Sequence, residues 1–519
     1  MRVQPVADIV KSPRLPIRGL LATASGVALA TTSAPWSLGS LLPVAVAGWI
    51  LALHGTRGRS GAVVGYLFGA AYSLTLLFWL RAVGTDSWLL VSLLVASYYA
   101  LLGMGIAWLS RRRAWPLWTA VSWVAVDMIR TSWPFGGFPW GRLAWSVLDT
   151  PLSSWLPWVG ANGVSFLAAF SGSTLAWILL RVTRAPIRVG CVAAGVIGLV
   201  MIPTFVRPAS LTPGWEAGLP SATVAAIQGD VPGRGNDLIA HHQQVTRNHI
   251  EATIALSRRV DSGAVARPDL VIWPENSTAV DPTTDAVTRS AINEAVEAIG
   301  VPVLVGAITD GATTAQARNQ GILWRPVSGP AERYTKRHPV PFGEYIPFRG
   351  LLGRYDISRL GQIPRDMARG DRSTPLRVSD RIQVADLICF DVAFDDSLAE
   401  QVRSGAQFIA VQTSNATFIR TNQIEQQFAI SRVRAVETGR TVVVAATNGI
   451  TGIIGPDGSV RELAEPQTRA VLVSQVPLQD KDTPALFLSP WIGWACVVVA
   501  ALALVTPRRR LTVRSRVVY

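Results

Sequence analysis

Three short segments combine side chains that together can perform thiol chemistry. They are LVIWPENST around Glu275, RYTKRHPVPFGEYIPFR around Lys336 and ADLICFDVAFDD around Cys389. A thiol is a weak nucleophile until it loses its proton; a nearby carboxylate can accept that proton, and an ammonium favours the thiolate. After attack on an ester, Lys336 and the backbone N–H of Phe390 can stabilise the oxyanion. Glu275 can return the proton to the leaving group.

Each of these residues also has an ordinary structural explanation when it is taken singly. A cysteine at a strand end is usually structural, Pro-Glu after a strand is often only a turn, and a lysine in a basic loop is usually solvated. Lysine usage favours the chemical explanation. Among 48 Lys and Arg residues, only Lys11, Lys336 and Lys481 are lysines, so this chain keeps a lysine where arginine would serve for ion pairs. The residues alone therefore predict a candidate thiol enzyme.

The elements that position these residues belong to a polar region, 221–480. Short β-branched runs occur there at Thr223–Ile227, Leu270–Trp273, Val303–Ile308, Ile382–Ile388, Phe408–Val411 and Thr441–Ala446. Amphipathic stretches lie between them at 238–260, 284–299, 392–403 and 423–438. This alternation predicts α/β layers. Glu275 and Cys389 follow apolar runs, at the carboxyl ends of strands, where sites on such sheets tend to form.

The chain as a whole is too apolar for an ordinary soluble protein, since 49% of its 519 residues are hydrophobic and 16% are charged. Apolar stretches of spanning or near-spanning length lie at 19–36, 38–54, 61–80, 87–109, 115–129, 164–180, 189–205 and 487–506. They predict about eight transmembrane helices.

Basic residues indicate the orientation of these helices. The Arg111–Arg113 triplet, the arginines between 181 and 188 and both chain ends fall on one side, which we expect to be cytoplasmic. The predicted organisation is a cytoplasmic tail 1–18, seven helices within 19–205, a linker 206–220, an extracytoplasmic domain 221–480, an eighth helix 487–506 and a cytoplasmic tail 507–519.

Composition argues against several other classes of protein. The net charge of +14 comes from short clusters beside apolar runs, so it does not indicate a nucleic-acid partner. The three cysteines and five histidines show no disulfide or metal-ligand spacing, and we expect no metal or other cofactor. A transporter is disfavoured because Asp127 is almost the only ionisable residue in the spans. The Trp-rich loop 131–163 is either an aromatic belt or the border of a lipid portal.

The three segments resemble the nitrilase superfamily, and the membrane context resembles apolipoprotein N-acyltransferase along nearly the whole chain. Matching motifs are IQGDVP, WPEN, YTKRHPVPFGEYIPFR, LICFD, SNATF, TNGITGIIGPDG and GFPW. The resemblance implies an αββα sandwich in which Glu275 is the base, Lys336 stabilises the oxyanion, Cys389 carries the acyl chain and Glu344 supports them. Phe390 and Asp391 stand where the family often has Tyr-Glu, and 231–238 lacks a frequent tryptophan.

The implied reaction is a two-step acyl transfer in the cell membrane. A phospholipid gives its sn-1 acyl chain to Cys389 as a thioester, and the α-amino group of a diacylglyceryl-cysteine at an apolipoprotein N-terminus then takes it. These two lipids are the expected partners of a membrane-embedded monomer. The alternative is a membrane-tethered nitrilase-type amidase or lipid hydrolase, with water as the second substrate.

Overall fold

A computed structural model describes residues 15–206, 218–234, 241–278, 280–352 and 363–506. The predicted tail 507–519 lies outside the described residues. So do most of the tail 1–18, most of the linker 206–220 and half of the segment 231–238.

The chain begins with an apolar helical part. Its helices are Leu15–Ala30 (α1), Leu42–Leu53 (α2), Gly58–Leu76 (α3), Thr85–Leu109 (α4), Trp115–Arg130 (α5), Leu156–Arg181 (α6) and Pro186–Phe205 (α7). Proline lies in the first turn of α2, α5, α6 and α7, where its missing N–H costs no hydrogen bond. α6 bends at Gly160, whose φ of 62° is readily adopted only by glycine.

The acidic residue inside the predicted spans, Asp127, has a structural partner. Its carboxylate accepts a hydrogen bond of 2.9 Å from Arg130 in the last turn of α5. The same guanidinium donates to the backbone oxygens of Phe138 and Trp140, at 2.7 and 2.5 Å. Asp127 and Arg130 therefore fix the GFPW loop, and this role accounts for a buried charge in the helical part.

The middle of the chain forms an αββα sandwich. Its strands are Ser221–Gln228 (β1), Leu270–Ile272 (β2), Val303–Asp310 (β3), Gln316–Arg325 (β4), Gly329–Thr335 (β5), Asp366–Met367 (β6), Leu376–Arg377 (β7), Gln383–Ile388 (β8), Phe408–Thr413 (β9), Val442–Ala446 (β10), Gly452–Ile454 (β11), Val460–Leu463 (β12) and Ala470–Pro477 (β13). Its helices are His242–Asp261 (α8), Ala286–Ile299 (α9), Arg349–Leu352 (α10), Asp395–Arg403 (α11) and Gln423–Thr438 (α12). The chain returns to the helical part with Ala485–Val505 (α13).

The two sheets present their strand ends on a shared edge. One sheet has the order β13-β1-β2-β3-β4-β5, with β6 beside β4, and the other has the order β12-β11-β10-β9-β8-β7. β1, β2 and β3 are parallel, and two antiparallel steps through β4 make β5 parallel to them. β8, β9 and β10 are also parallel. Loops after β2, β5 and β8 can therefore meet, because parallel strands end at one edge.

Local sequence accounts for the helix ends in the sandwich. Asp285 caps α9 by accepting a hydrogen bond of 2.7 Å from the backbone N–H of Thr288. α9 and α12 are followed by Gly300 and Gly439 in the left-handed conformation, a common helix stop.

Three apolar layers hold the sandwich together and attach it to the helical part. One lies between the sheets and includes Val224, Ile388 and Phe408. A second fills the space between the first sheet and helices α8 and α9. The third starts at the outer face of the second sheet, passes α11 and α12 and continues without a break into the interior of the helical part. The sandwich is therefore packed on the helices over a broad apolar face.

Within the described residues, eight helices overlap the eight predicted spans. Four regions are long and apolar enough to cross a membrane: Thr85–Leu109, Pro151–Arg181, Pro186–Phe205 and Ala485–Val505. Leu15–Ala30 and Gly39–Leu53 are apolar but shorter. The chain thus has a membrane-type helical part, and the nitrilase-like α/β sandwich agrees with the predicted fold.

Gln426 of α12 makes a polar link inside this apolar contact. Its side-chain oxygen accepts hydrogen bonds from the indoles of Trp79, at 3.1 Å, and Trp140, at 2.7 Å. Its amide nitrogen donates to the backbone oxygen of Leu76 at 3.1 Å. Because Gln426 is buried, these groups have no water to replace the amide.

We predict that Gln426→Leu lowers the thermal stability of the detergent-solubilised protein. The change leaves two buried indole N–H groups without their acceptor, at a cost of about 1–3 kcal/mol for each unsatisfied group. The measurement is a thermal melt, with Glu425→Gln on the exposed face of the same turn as the matched control. A Gln426→Leu protein that melts with the wild type would contradict this account of the contact.

Candidate active site

Cys389 is the first residue after β8 and opens a short 3-10 helix, Cys389–Ala393. Its φ of 52° lies in the left-handed region, which costs a non-glycine residue about 1–3 kcal/mol and persists only where the surroundings impose it. Arg434 of α12 supplies part of that constraint, because it donates to the backbone oxygens of Val392 and Ala393 at 2.9 and 3.0 Å. Cys389 is partly exposed, and its side chain packs against the edge of the core between the two sheets.

Glu275 and Lys336 lie after β2 and β5 of the other sheet, and both side chains are buried. The Lys336 ammonium contacts the carboxylate of Glu275 at 3.1 Å and that of Glu344 at 3.0 Å. The second Glu275 oxygen accepts a hydrogen bond of 3.0 Å from the backbone N–H of Ser414, at the end of β9. The structure thus brings together Glu275, Lys336 and Glu344, which were predicted from two of the three segments.

Asn319 of β4 was missed by the sequence prediction. It is buried, and its amide nitrogen donates to Glu275 at 2.8 Å and to Glu344 at 3.1 Å. It therefore bridges the same two carboxylates as the ammonium of Lys336. The available signal was the polar run Arg318–Gln320 in a strand that is otherwise buried, but β4 was not among the predicted strands.

The charges explain the protonation states of this group. Burial alone would lower the pKa of Lys336, but the carboxylates of Glu275 and Glu344 outweigh it and raise that pKa well above the usual range for lysine. Burial, and then the Glu275 carboxylate, raise the pKa of Cys389 to about 12, although Lys336 opposes them. Near neutral pH the resting site therefore holds an ammonium and a neutral thiol.

Asp391 stabilises the segment that carries Lys336. Its buried carboxylate accepts hydrogen bonds from the Tyr334 hydroxyl at 2.8 Å and from the backbone N–H groups of Arg337, at 3.2 Å, and His338, at 2.8 Å. Burial raises the pKa of Asp391, while His338 and Lys336 oppose the shift. The carboxylate next to the nucleophile thus ties the Cys389 loop to the Lys336 loop.

Phe390 connects the nucleophile loop to the helical part. Its ring lies 6.1 Å from the rings of both Phe138 and Trp140 in the GFPW loop, and 5.0 Å from Phe394. Trp140 is the residue that donates to Gln426. An apolar ring at position 390 therefore completes an aromatic wall that is shared by the two parts of the chain.

In the part of the chain that the structure describes, no group of three or more His, Cys, Asp or Glu side chains is placed to hold a metal ion. The side chains that the fold brings together offer a thiol, a carboxylate that can accept its proton, and an ammonium that can face an oxyanion.

Known proteins share both parts of this chain. Residues 25–174 match the family model described as apolipoprotein N-acyltransferase N-terminal domain, and residues 223–482 match the one described as carbon-nitrogen hydrolase. The apolipoprotein N-acyltransferase of Mycolicibacterium smegmatis is 34% identical over 93% of this chain and 83% of its own length. That of Pseudomonas putida is 28% identical over 93% of this chain and 95% of its own length.

A solved amidase from Nesterenkonia sp. covers 51% of this chain and 92% of its own, with 17% identity and a TM-score of 0.38. The relatives, by contrast, match along nearly the whole chain, including the helical part that precedes the α/β sandwich. The chain belongs to the apolipoprotein N-acyltransferase family.

Proposed function

We propose that this protein transfers an acyl chain from a membrane phospholipid to the α-amino group of the diacylglyceryl-cysteine at an apolipoprotein N-terminus. The observation that carries the proposal is the meeting of Glu275, Lys336 and the Cys389 loop at one sheet edge, in a chain of this family. Family membership favours acyl transfer over the alternative of a tethered amidase or lipid hydrolase, because the helical part also matches the acyltransferase model.

In the first step, Glu275 takes the proton of the Cys389 thiol as the sulfur attacks the sn-1 ester carbonyl of the phospholipid. The new C–S bond leaves a negative charge on the former carbonyl oxygen. Lys336 and the backbone N–H of Phe390 stabilise this charge. The C–O bond then breaks, Glu275 returns the proton to the departing alkoxide, and a lysophospholipid leaves a thioester on Cys389.

In the second step, the α-amino group of the apolipoprotein attacks the thioester carbonyl. Glu275 accepts a proton from the nitrogen as the C–N bond forms, and Lys336 again faces the oxyanion. Breakage of the C–S bond returns the sulfur as a thiol and leaves an amide on the apolipoprotein. Exclusion of water protects the thioester between the two steps.

Glu344 and Asn319 act as positioning residues in this scheme. Glu344 contacts the Lys336 ammonium together with Glu275, and its other oxygen accepts a hydrogen bond of 2.7 Å from the backbone N–H of Val340. Asn319 fixes the spacing of the two carboxylates. Asp391 and Phe390 act indirectly. Asp391 holds the loop that carries Lys336, and Phe390 holds the loop that carries Cys389.

We infer that all eight apolar helices cross the cell membrane, with both chain ends in the cytoplasm and the domain 221–480 outside it. The supports are the four long apolar helices, the packing of the other four among them, and the basic residues on one side. Both substrates are lipids, so a catalytic domain held on the membrane surface meets them without extracting either one into water.

Incubation of the purified protein with phospholipid is expected to add one acyl chain, mapped to Cys389 by peptide mass spectrometry. Cys389→Ala removes the only thiol of the α/β domain and should give no adduct. Cys191→Ala, in α7, is the matched control and should retain the adduct. An acylated Cys389→Ala protein, or turnover without a thioester, would rule out this mechanism.

Glu275→Gln is expected to change thiol reactivity and acyl transfer in opposite directions. Burial, and then the Glu275 carboxylate, raise the pKa of Cys389 to about 12, so removal of the carboxylate lowers that pKa and increases the thiolate fraction at pH 9. Iodoacetamide should then alkylate Cys389 faster than in the wild type. Transfer from phospholipid should fall about 10²–10⁴-fold, because the general base is lost.

Lys336→Met is the control, because it should change the alkylation rate of Cys389 in the opposite direction. It removes the cation that lowers the pKa of Cys389, so alkylation at pH 9 should become slower than in the wild type. Peptide mapping separates Cys389 from the other two thiols. Slower alkylation in Glu275→Gln would show that the carboxylate does not act on the thiol as proposed.

A further inference from the structure

A cavity of about 280 Å³ is lined in part by Phe390, whose ring also belongs to the apolar layer on the outer face of the second sheet. One wall is the outer loop of the helical part, from Phe135 to Gly137. The opposite wall comes from the loop that follows Lys336 and includes His338 and Tyr345. The Tyr345 hydroxyl donates to the backbone oxygen of Phe135 at 3.2 Å, so the two walls are joined at the rim.

The cavity holds three basic side chains, of which two already have acidic partners. Arg337 pairs with Glu400 at 2.7 Å and with Asp396 at 3.3 Å. His338 lies 2.9 Å from Asp396 and stacks on a phenylalanine ring. Both of these side chains therefore already have carboxylate partners.

Arg369 is the third basic side chain, and it is exposed at the cavity. Among the residues that the structure describes, no carboxylate forms an ion pair with it, whereas Arg365 and Arg372 of the same segment pair with Asp310 and Glu332. Burial raises the pKa of Tyr345, and the Arg369 charge opposes this shift, which puts the guanidinium near the Tyr345 hydroxyl. The cavity thus presents one uncompensated guanidinium beside an aromatic wall.

We propose that this cavity binds the glycerophosphate part of the phospholipid donor and that Arg369 contacts its phosphate. The proposal rests on the proposed function. Cavities that enclose a drug-sized ligand measure about 300–1,000 Å³, so this one suits a head group and leaves the acyl chains outside. Guanidinium matches phosphate geometry with two parallel N–H donors.

The position of the cavity fits the chemistry of such a donor. Phe390, which lines it, directly follows the nucleophile, and in a glycerophospholipid the phosphate lies only a few bonds from the sn-1 ester. The acceptor presents an amine, and the thioether-linked diacylglyceryl group of the acceptor has no phosphate. Arg369 should therefore act in the acylation of Cys389 and not in the transfer that follows.

The test is single-turnover acylation of the full-length wild-type and Arg369→Gln proteins in detergent micelles. The donors are phosphatidylethanolamine and diacylglycerol, which share the sn-1 ester but differ in phosphate. With the phospholipid, Arg369→Gln should acylate Cys389 on the order of tenfold more slowly, the usual effect of a lost charged hydrogen bond. With diacylglycerol the two proteins should agree, and Arg369→Lys should recover part of the loss.

Arg365→Gln is the matched control. Arg365 lies in the same segment as Arg369, but its side chain already pairs with Asp310. The Arg365→Gln protein should acylate like the wild type with both donors. Transfer from a thioester formed with diacylglycerol to an acceptor lipopeptide should be unchanged in Arg369→Gln. Loss of rate with both donors, or with neither, would overturn the assignment.

Competition with inorganic phosphate shows whether the cavity binds a lipid head group or a free phosphate ion. Millimolar phosphate that blocks acylation by diacylglycerol in the wild type, but not in Arg369→Gln, would assign the cavity to free phosphate and overturn the lipid proposal. A wild-type protein that forms no thioester with any lipid would instead contradict the proposed function itself.

Discussion

The site depends on one buried ammonium held between two carboxylates. Lys336 is almost completely buried, a position that ordinarily drives lysine to its neutral form, yet Glu275 and Glu344 keep it charged. Burial of the nearby Cys389 thiol, and then the Glu275 carboxylate, raise the pKa of that thiol and keep it protonated at rest, so deprotonation of the nucleophile is coupled to arrival of an acyl group that can accept the electron pair.

The fold supplies this cluster from both sheets at once. Glu275 and Lys336 come from the ends of β2 and β5, while Cys389 follows β8 of the facing sheet. Asp391 bonds across the gap to the Lys336 loop, and Arg434 of α12 holds the turn behind the nucleophile. Spacing between thiol and ammonium is therefore set by the distance between two packed sheets, which a rigid apolar core fixes more closely than a flexible loop.

The sequence was sufficient to single out those candidate residues whose type and local context are distinctive. A thiol, a carboxylate after a strand and a retained lysine were found, and the α/β alternation predicted the layers. Asn319 was missed because an amide inside a strand has no signal until its neighbours are known, and β4 itself was not predicted. Gln426 was missed for a similar reason, because its partners Trp79 and Trp140 lie 347 and 286 positions away along the chain.

The aromatic wall behind Phe390 has a consequence for how such a protein can change over time. Trp140 belongs to the helical part, Phe390 to the nucleophile loop and Gln426 to α12, and the three side chains contact one another in series. A substitution at one of them alters the fit of the others, so these positions are expected to evolve together. An α/β domain taken from a relative without the helical part would therefore present a surface that does not match Trp140 at this point.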